Sequence, residues 1–413
     1  MNQQPQTGFS GSFGDAVGNG KRVPFTYAFT ILKKNIKKLS GEYASLNDCE
    51  PEMRSHFRNF LIEIGATPAA LNFDALLKEK SGNNLCRSNG DISWYHEFFP
   101  LMAMMELAAK GKKKGGFDLK ELDTIYGLQN GDGMIVLLCS HLRHDSVEDI
   151  FHDIDVFEGE QKKIFQHTSS INPDFTLERA SQILKCVVEN VDLISQRRIR
   201  NKAGSYEKES TLKYNRTMAD PSISNPGVYM QKQADVSANF QTMHTAPKFT
   251  PEKRSERCNG AEDRYGRRYG LTIKAIAQWP AFAKAIQTLD DVIGIQLYVS
   301  VRVLSDVDLF DKEPSDIPVD INGYLRNAMS LSLPEAIHPV HCFMKDLMRS
   351  VDPEKDPEKY DRLQNFMAEV VMPGLVPYRE KFPYLFKEGP TALIFAASNA
   401  VNDNGHTHKP LVS

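Results

Sequence analysis

The chain has 413 residues, 41% of them hydrophobic and 25% charged, and a formal net charge of −3. This near balance of charges argues against nucleic-acid binding through bulk positive charge and against an acidic tail. No apolar run reaches the roughly 18 residues of a membrane-spanning helix, and the N-terminus lacks the apolar core of a secretory signal. Six scattered cysteines without a CxxC pair favour reduced thiols. We therefore expect a cytoplasmic protein, without membrane or nucleic-acid partners, of one large domain or two ordinary ones.

The first half of the chain is dominated by helical patterns. Residues 1–24 are rich in Gly, Gln and Ser and predict a disordered N-terminal segment. Apolar residues then recur every three or four positions in FTYAFTILKKNIKKL, PEMRSHFRNFLIEIG and NFDALLKEK, a spacing typical of amphipathic helices, with Gly65 as a stop signal. HEFFPLMAMMELAAKGKKKGG predicts another helix, which ends in its Lys/Gly tail.

The second half continues in the same style. Asp132 is a candidate N-cap for a strongly apolar helix over 134–151. FTLERASQILKCVVENVDLISQRR and VYMQKQADVSANFQTM predict two more helices, separated by a polar, loop-like stretch at 197–225. Residues 245–270 are a candidate linker, and IGIQLYVSVRVL is ambiguous between a strand and a buried helix. The fold class predicted is all-α: a helical bundle over 25–250 and a helical C-terminal extension over 271–413 with a disordered tail.

The stretch HLRHDSVEDI, at 141–150, concentrates titratable groups directly after an apolar run. On one continuous helix, His144 lies one turn before Glu148, and Asp145 lies one turn before Asp149. An imidazole and carboxylates suit Mn, Fe or Zn, and a cation would offset acidic groups near a helix C-terminus. A solvated acidic helix end is the plainer interpretation of the same residues.

A metal site needs further ligands, and two distant stretches offer them. His96 begins an apolar helix in WYHEFFPLMAM. Asp235 in KQADVSANFQTM shares a helical face with Asn239 and Thr242. Taken singly, His96 would be read as a packed core histidine and Asp235 as a surface carboxylate.

The order of these motifs is more specific than any one of them. RSNGDISWYHEFFP, HLRHDSVEDI and KQADVSANFQTM together give an Arg, a His, HDxVED and ADxxxN. This order resembles the HD-type hydrolase domain of RelA/SpoT homologues, which degrade the alarmone (p)ppGpp. The resemblance spans roughly residues 75–245.

The resemblance implies an HD-domain helical bundle and a role for each matching residue. The implied metal ligands are His96, His144, Asp145 and Asp235, holding Mn²⁺ or alternatively another divalent metal. The implied catalytic pair, which activates water, is Glu148 and Asp149. The implied contacts to the guanine-nucleotide alarmone are Arg87, Asn239 and Thr242. The implied reaction removes the 3′-pyrophosphate and leaves GDP or GTP.

Two departures keep other functions open. Val236 and Ala238 stand where the family carries Arg and His, so a phosphohydrolase acting on another nucleotide is an alternative. A catalytically silent nucleotide sensor or scaffold is a second one. The synthetase motifs of bifunctional alarmone enzymes are not found, which favours a hydrolase-only protein. The extension at 271–413 could cover the site, mediate oligomerisation or bind a partner.

Overall fold

A computed structural model describes residues 23–43, 46–83, 93–195, 198–200, 206–208, 214, 217–242, 269–290, 293 and 352–366. The described chain is predominantly helical, as predicted. The helices are α1 (Phe25–Glu42), α2 (Leu46–Glu63), α3 (Thr67–Asn83), α4 (Tyr95–Lys110), α5 (Leu119–Tyr126), α6 (Asp132–Leu142), α7 (Ile154–Ile171), α8 (Leu177–Ile194), α9 (Pro226–Thr242), α10 (Tyr269–Gln278) and α11 (Pro357–Phe366). Residues 283–290 are also helical, a 3₁₀ turn spans Lys112–Lys114, and a π-helical turn spans Val147–Phe151.

The predicted stop at Gly65 is confirmed. Gly65 has φ 76°, in the left-handed region that glycine enters without steric cost, and it follows α2. Gly111 ends α4 in the same region, at φ 63°. Two strands, β1 (Arg198–Arg200) and β2 (Tyr206–Lys208), pair antiparallel inside the stretch that was expected to be a loop.

One hydrophobic core joins the helices. Aromatic rings fill its N-terminal part, where the ring of Phe57 meets Phe73 and Phe98 edge-on, at centroid distances of 5.0 Å each. Each such buried side chain stabilises the fold by about 1.5–3 kcal/mol. The first part of the predicted extension shares this core, since Phe282 packs against Phe117 and Ala275 is buried.

Helix α6 lies at the centre. All of its residues are buried, as expected for a helix that is apolar on every side. It packs against α3, α5 and α8, while α4 packs along α9. The C-terminal end of α6 therefore lies next to the contact between α4 and α9, and this packing positions the candidate site.

Two expectations about this helix are wrong. Asp132 is the first helical residue and Gly131 is the N-cap, because the Asp132 carboxylate pairs with Arg179 instead of capping backbone amides. The helix also ends at Leu142 and does not run to residue 151. His144 is responsible in part: its amide and its Nδ1 both turn back to the carbonyl of His141 and take up an acceptor that would continue the helix.

Several predictions fall outside the described residues: the disordered segment except for residues 23 and 24, the linker at 245–270 except for 269 and 270, the ambiguous run IGIQLYVSVRVL except for Ile293, and most of the extension with its tail. Among the helices that are described, none has the length and apolar character needed to cross a membrane.

Candidate metal centre

Three separate segments bring four side chains together. His96 is the second residue of α4, His144 and Asp145 follow the end of α6, and Asp235 lies in the middle of α9. Nε2 of His96 lies 3.1 Å from Oδ1 of Asp235 and 3.4 Å from Oδ2 of Asp145. Nε2 of His144 lies 3.2 Å from Oδ1 of Asp145 and 3.7 Å from Oδ1 of Asp235. Both imidazoles thus face both carboxylates.

The orientation of His144 is fixed from behind. Its Nδ1 lies 2.8 Å from the carbonyl oxygen of His141, so the hydrogen-bond network assigns the proton to Nδ1 and leaves Nε2 facing the carboxylates. The hydroxyl of Ser195 donates to the His144 carbonyl at 3.2 Å. Metal-binding histidines are commonly held in this way, with the far ring nitrogen donating to a backbone carbonyl.

The carboxylate of Asp235 is held at both oxygens. Asn239 donates its amide to Oδ1 at 3.0 Å, and Lys232 donates its ammonium to Oδ2 at 2.8 Å. Lys232 also lies over the ring of Tyr214, 5.7 Å from its centroid. Lys232 is not among the residues predicted for the site, although its i,i+3 spacing from Asp235 on a predicted helix indicates the contact.

The charges of the cluster shift one another's pKa values. Burial would lower the pKa of His144, but Asp145 and Asp235 outweigh burial and raise it to about 9. Burial would raise the pKa of Asp145 and of Asp235, but the two histidines, and Lys232 for Asp235, hold both well below their usual range. Burial would likewise lower the pKa of Lys232, and Asp235 raises it well above its usual value. The carboxylates are therefore ionised at neutral pH.

His96, His144 and Asp145 form a group that could hold a divalent metal, and Asp235 faces both imidazoles beside it. Two imidazoles and two carboxylates suit Mn, Fe or Zn. Bonds to such ions are about 2.0–2.2 Å long, so neighbouring ligand atoms lie about 3.0–3.6 Å apart. The separations between imidazole nitrogens and carboxylate oxygens cover nearly the same interval. The ligand atoms of His96, His144 and Asp145 all lie within 4.8 Å of one another.

One unsatisfied polar atom, Nε2 of His144, supports the same fit. Nε2 of His144 and Nδ1 of His96 are buried and make no hydrogen bond of good geometry with the described residues. Buried polar atoms normally have partners, so each exception needs an explanation. An ion bound between the imidazoles and carboxylates would supply the missing partner of His144 Nε2.

The other predicted site residues differ in how well the structure describes them and in how exposed they are. Glu148 and Asp149 are in the π-helical turn after Asp145, with Glu148 half-buried and Asp149 exposed, and the amide of Asp149 donates to the Asp145 carbonyl. Thr242 is the last residue of α9, but its side chain is not described, and Arg87 lies outside the described residues. Val236 and Ala238 are both buried.

No protein-family model matches the sequence, and neither a curated protein nor a solved structure matches it. Any assignment of function therefore depends on the chemistry of the site and on the motif order in the sequence.

Proposed function

We propose that the protein is a divalent-metal-dependent pyrophosphohydrolase of the HD type, which removes the 3′-pyrophosphate of (p)ppGpp. One observation carries the metal-dependent part. Two histidines and two aspartates from α4, the turn after α6, and α9 converge with ligand-like spacing. The motif order, with its resemblance to RelA/SpoT homologues, supplies the substrate, and Mn²⁺ is the expected ion.

The chain's own residues would divide the work between holding charge and moving a proton. His96, His144, Asp145 and Asp235 would hold the ion. When bound, a divalent ion in this place acidifies a water molecule and offsets charge on phosphoryl oxygens. A carboxylate oxygen of Glu148 would accept the proton that the water loses, because this residue follows Asp145 closely and is half-buried.

Lys232 would add a second source of positive charge. Its ammonium stays protonated beside Asp235 because its pKa is raised well above the usual value. A fixed cation at this place favours an anionic substrate such as a pyrophosphate ester over a neutral one.

Pyrophosphate release from ppGpp, with and without Mn²⁺, tests the proposal. The wild type is compared with Asp145→Asn, which removes one proposed ligand, and with Asp155→Asn, which changes an exposed aspartate ten residues later. We expect Mn²⁺-dependent release by the wild type and by Asp155→Asn, and none by Asp145→Asn. Equal release by Asp145→Asn would exclude the proposed site.

A different nucleotide is the second candidate substrate. It is favoured by Val236 and Ala238, which replace a polar pair of the family and are buried against the protein. GTP, dGTP and ppApp, run beside ppGpp, separate the two. Cleavage of one of these with no release from ppGpp would keep the metal centre and replace the substrate. Silence on all four, with no Mn²⁺ retained after dialysis, would reject both enzymes and favour the silent sensor or scaffold.

A further inference from the structure

Two consecutive residues of α3, Glu79 and Lys80, form ion pairs beside two different proposed metal ligands. Glu79 pairs with Arg143, the residue directly before His144. Lys80 pairs with Glu97, the residue directly after His96. One short piece of helix thus contacts the chain next to both histidines.

The pair between Glu79 and Arg143 is partly buried and specific in geometry. Nη1 and Nη2 of Arg143 each donate to one carboxylate oxygen of Glu79, both at 2.8 Å. The Arg143 side chain is 1% exposed. Two parallel bonds fix the plane of a guanidinium as well as its distance, which a single contact does not do.

Arg143 also reaches the turn that carries the acidic pair. Its guanidinium carbon lies 5.6 Å from the ring centroid of Phe151, the last residue of that turn. The backbone from Arg143 to Asp145 is not α-helical, so a regular helix ladder does not hold it. The side chain of Arg143 therefore adds to the hydrogen bonds with His141 and Ser195 that hold His144, and it links this segment to the turn.

The pair between Lys80 and Glu97 acts at the other histidine. Glu97 lies in the first turn of α4, where an acidic side chain is favoured by the helix dipole. Its side chain is 2% exposed and the ammonium of Lys80 donates to Oε1. A buried carboxylate of this kind depends on its cation, because an unpaired buried charge is strongly unfavourable.

We propose that Glu79 and Lys80 are positioning residues that set the separation of His96 and His144 for metal binding. This inference rests on the proposed function, because it presumes that the two histidines share an ion. Opposite charges on adjacent residues of α3 hold an arginine on one side and a glutamate on the other. A rotation or shift of α3 would disturb both pairs together, and the two imidazoles with them.

The variants are Glu79→Gln and Lys80→Met. Their side chains are 26% and 20% exposed, so each is better tolerated than a change at the buried Arg143 or Glu97. The control is Arg179→Met, which breaks a comparable ion pair with Asp132 at the opposite end of α6. Circular dichroism verifies that each variant is folded.

Mn²⁺ affinity by calorimetry and the visible spectrum of the Co²⁺-loaded protein are the measurements. We expect Glu79→Gln and Lys80→Met each to weaken Mn²⁺ binding by about 10–100-fold, the usual effect of losing a residue that orients ligands, and to shift the cobalt bands. Arg179→Met should lower the unfolding midpoint in EDTA while it leaves the Mn²⁺ Kd within about twofold.

Each result decides one question. If both α3 variants bind Mn²⁺ with the wild-type Kd and give the wild-type cobalt spectrum, the positioning role is refuted and the metal centre stands. If the wild type itself binds no Mn²⁺, the metal centre fails and the positioning role with it.

Discussion

The buried polar side chains at the two ends of α6 differ in whether they are hydrogen-bonded. At the N-terminal end, the Asp132 carboxylate receives two hydrogen bonds from Arg179, one of them at 2.7 Å. Nearby, Asp123 accepts the backbone amides of Gly131 at 2.8 Å and Gly133 at 2.7 Å. At the C-terminal end, both ring nitrogens of His141 are buried without a hydrogen-bond partner among the described residues, as is Nε2 of His144.

This difference separates an end whose polar groups are satisfied within the fold from the end where we propose that a metal binds. A buried polar network that is fully satisfied makes the structure rigid, whereas one left incomplete is costly. The rings of His141 and His144 stack with centroids 4.9 Å apart and an interplanar angle of 17°. Burial, and His144 after it, lower the pKa of His141 well below its usual value, so this histidine is neutral behind a charged one. Substitutions at the N-terminal end should accordingly lower the free energy of unfolding, and substitutions at the C-terminal end should lower Mn²⁺ affinity or turnover.

His144→Ala should have the largest effect, and this effect should be confined to the C-terminal end of α6. It removes a proposed ligand that faces both carboxylates, so Mn²⁺ binding and turnover should both be lost. The loss in activity should exceed the roughly 10–100-fold that is typical of residues merely adjacent to ligands. The control is His167→Ala, an exposed histidine on α7 that is not a proposed ligand. Wild-type Mn²⁺ affinity in His144→Ala would contradict the proposed centre.

Glu148→Gln should separate chemistry from metal binding within the same end. The amide keeps the shape of the side chain and cannot accept a proton, so turnover should fall by about 10²–10⁴-fold. Mn²⁺ affinity should stay near that of the wild type, since Glu148 is not among the proposed ligands. Glu158→Gln, an exposed change on α7, is the matched control. Full activity in Glu148→Gln would show that this residue is not the base.

Much of the fold could be predicted because most helices carry their own pattern. The helices of the segments at α1, α4, α8 and α9 follow from apolar residues at helical spacing. Helix α7 was missed because polar residues share its buried face. Gln161 and Thr168 share that face with Phe157 and Phe165, and Gln161 donates to Asn72 at 2.7 Å. Its pattern makes sense only once α3 is in place.

The candidate site was only partly accessible from sequence for the same reason. HDxVED names chemically suitable residues, but the end of α6 before His144 depends on contacts made by the folded chain. Arg143 and Glu79 are 64 positions apart, so no local spacing could indicate their pair. The meeting of His96 with Asp235 likewise requires α4 to pack along α9. The order of the motifs predicts which residues form the site, but their proximity depends on how the helices pack.

Arg179→Met should break the N-terminal end and leave the C-terminal end intact. Removing one partner of a largely buried ion pair leaves Asp132 uncompensated, with an expected cost of about 3 kcal/mol in the free energy of unfolding. Urea unfolding in EDTA measures this loss, with the slope of the transition checked against the wild type. Arg58→Met breaks a pair between α2 and Asp74 of α3 whose side chains are 40% and 38% exposed, and it should cost less than about 1 kcal/mol. Equal losses in the two variants would mean that burial does not set the strength of these pairs.

The pH dependence of Mn²⁺ binding should give the smallest and most graded effect. A metal needs the neutral imidazole of His144, whose pKa in the metal-free protein is raised to about 9. Mn²⁺ must therefore displace a proton below that pH, and its affinity should rise by up to about tenfold per pH unit until it levels off near pH 9.

The folding stability of the metal-free protein should depend on pH in the opposite direction. Since the folded pKa exceeds the unfolded value of about 6.5, the stabilisation from protonated His144 is complete below pH 6.5 and is lost as the pH rises through about 9. Calorimetry at pH 7, 8 and 9, in buffers of different ionisation enthalpy, counts the protons released. If the Mn²⁺ affinity does not change between pH 7 and 9 and no proton is released, His144 is not a ligand. Arg179→Met is the control, and its Mn²⁺ affinity should depend on pH as that of the wild type does.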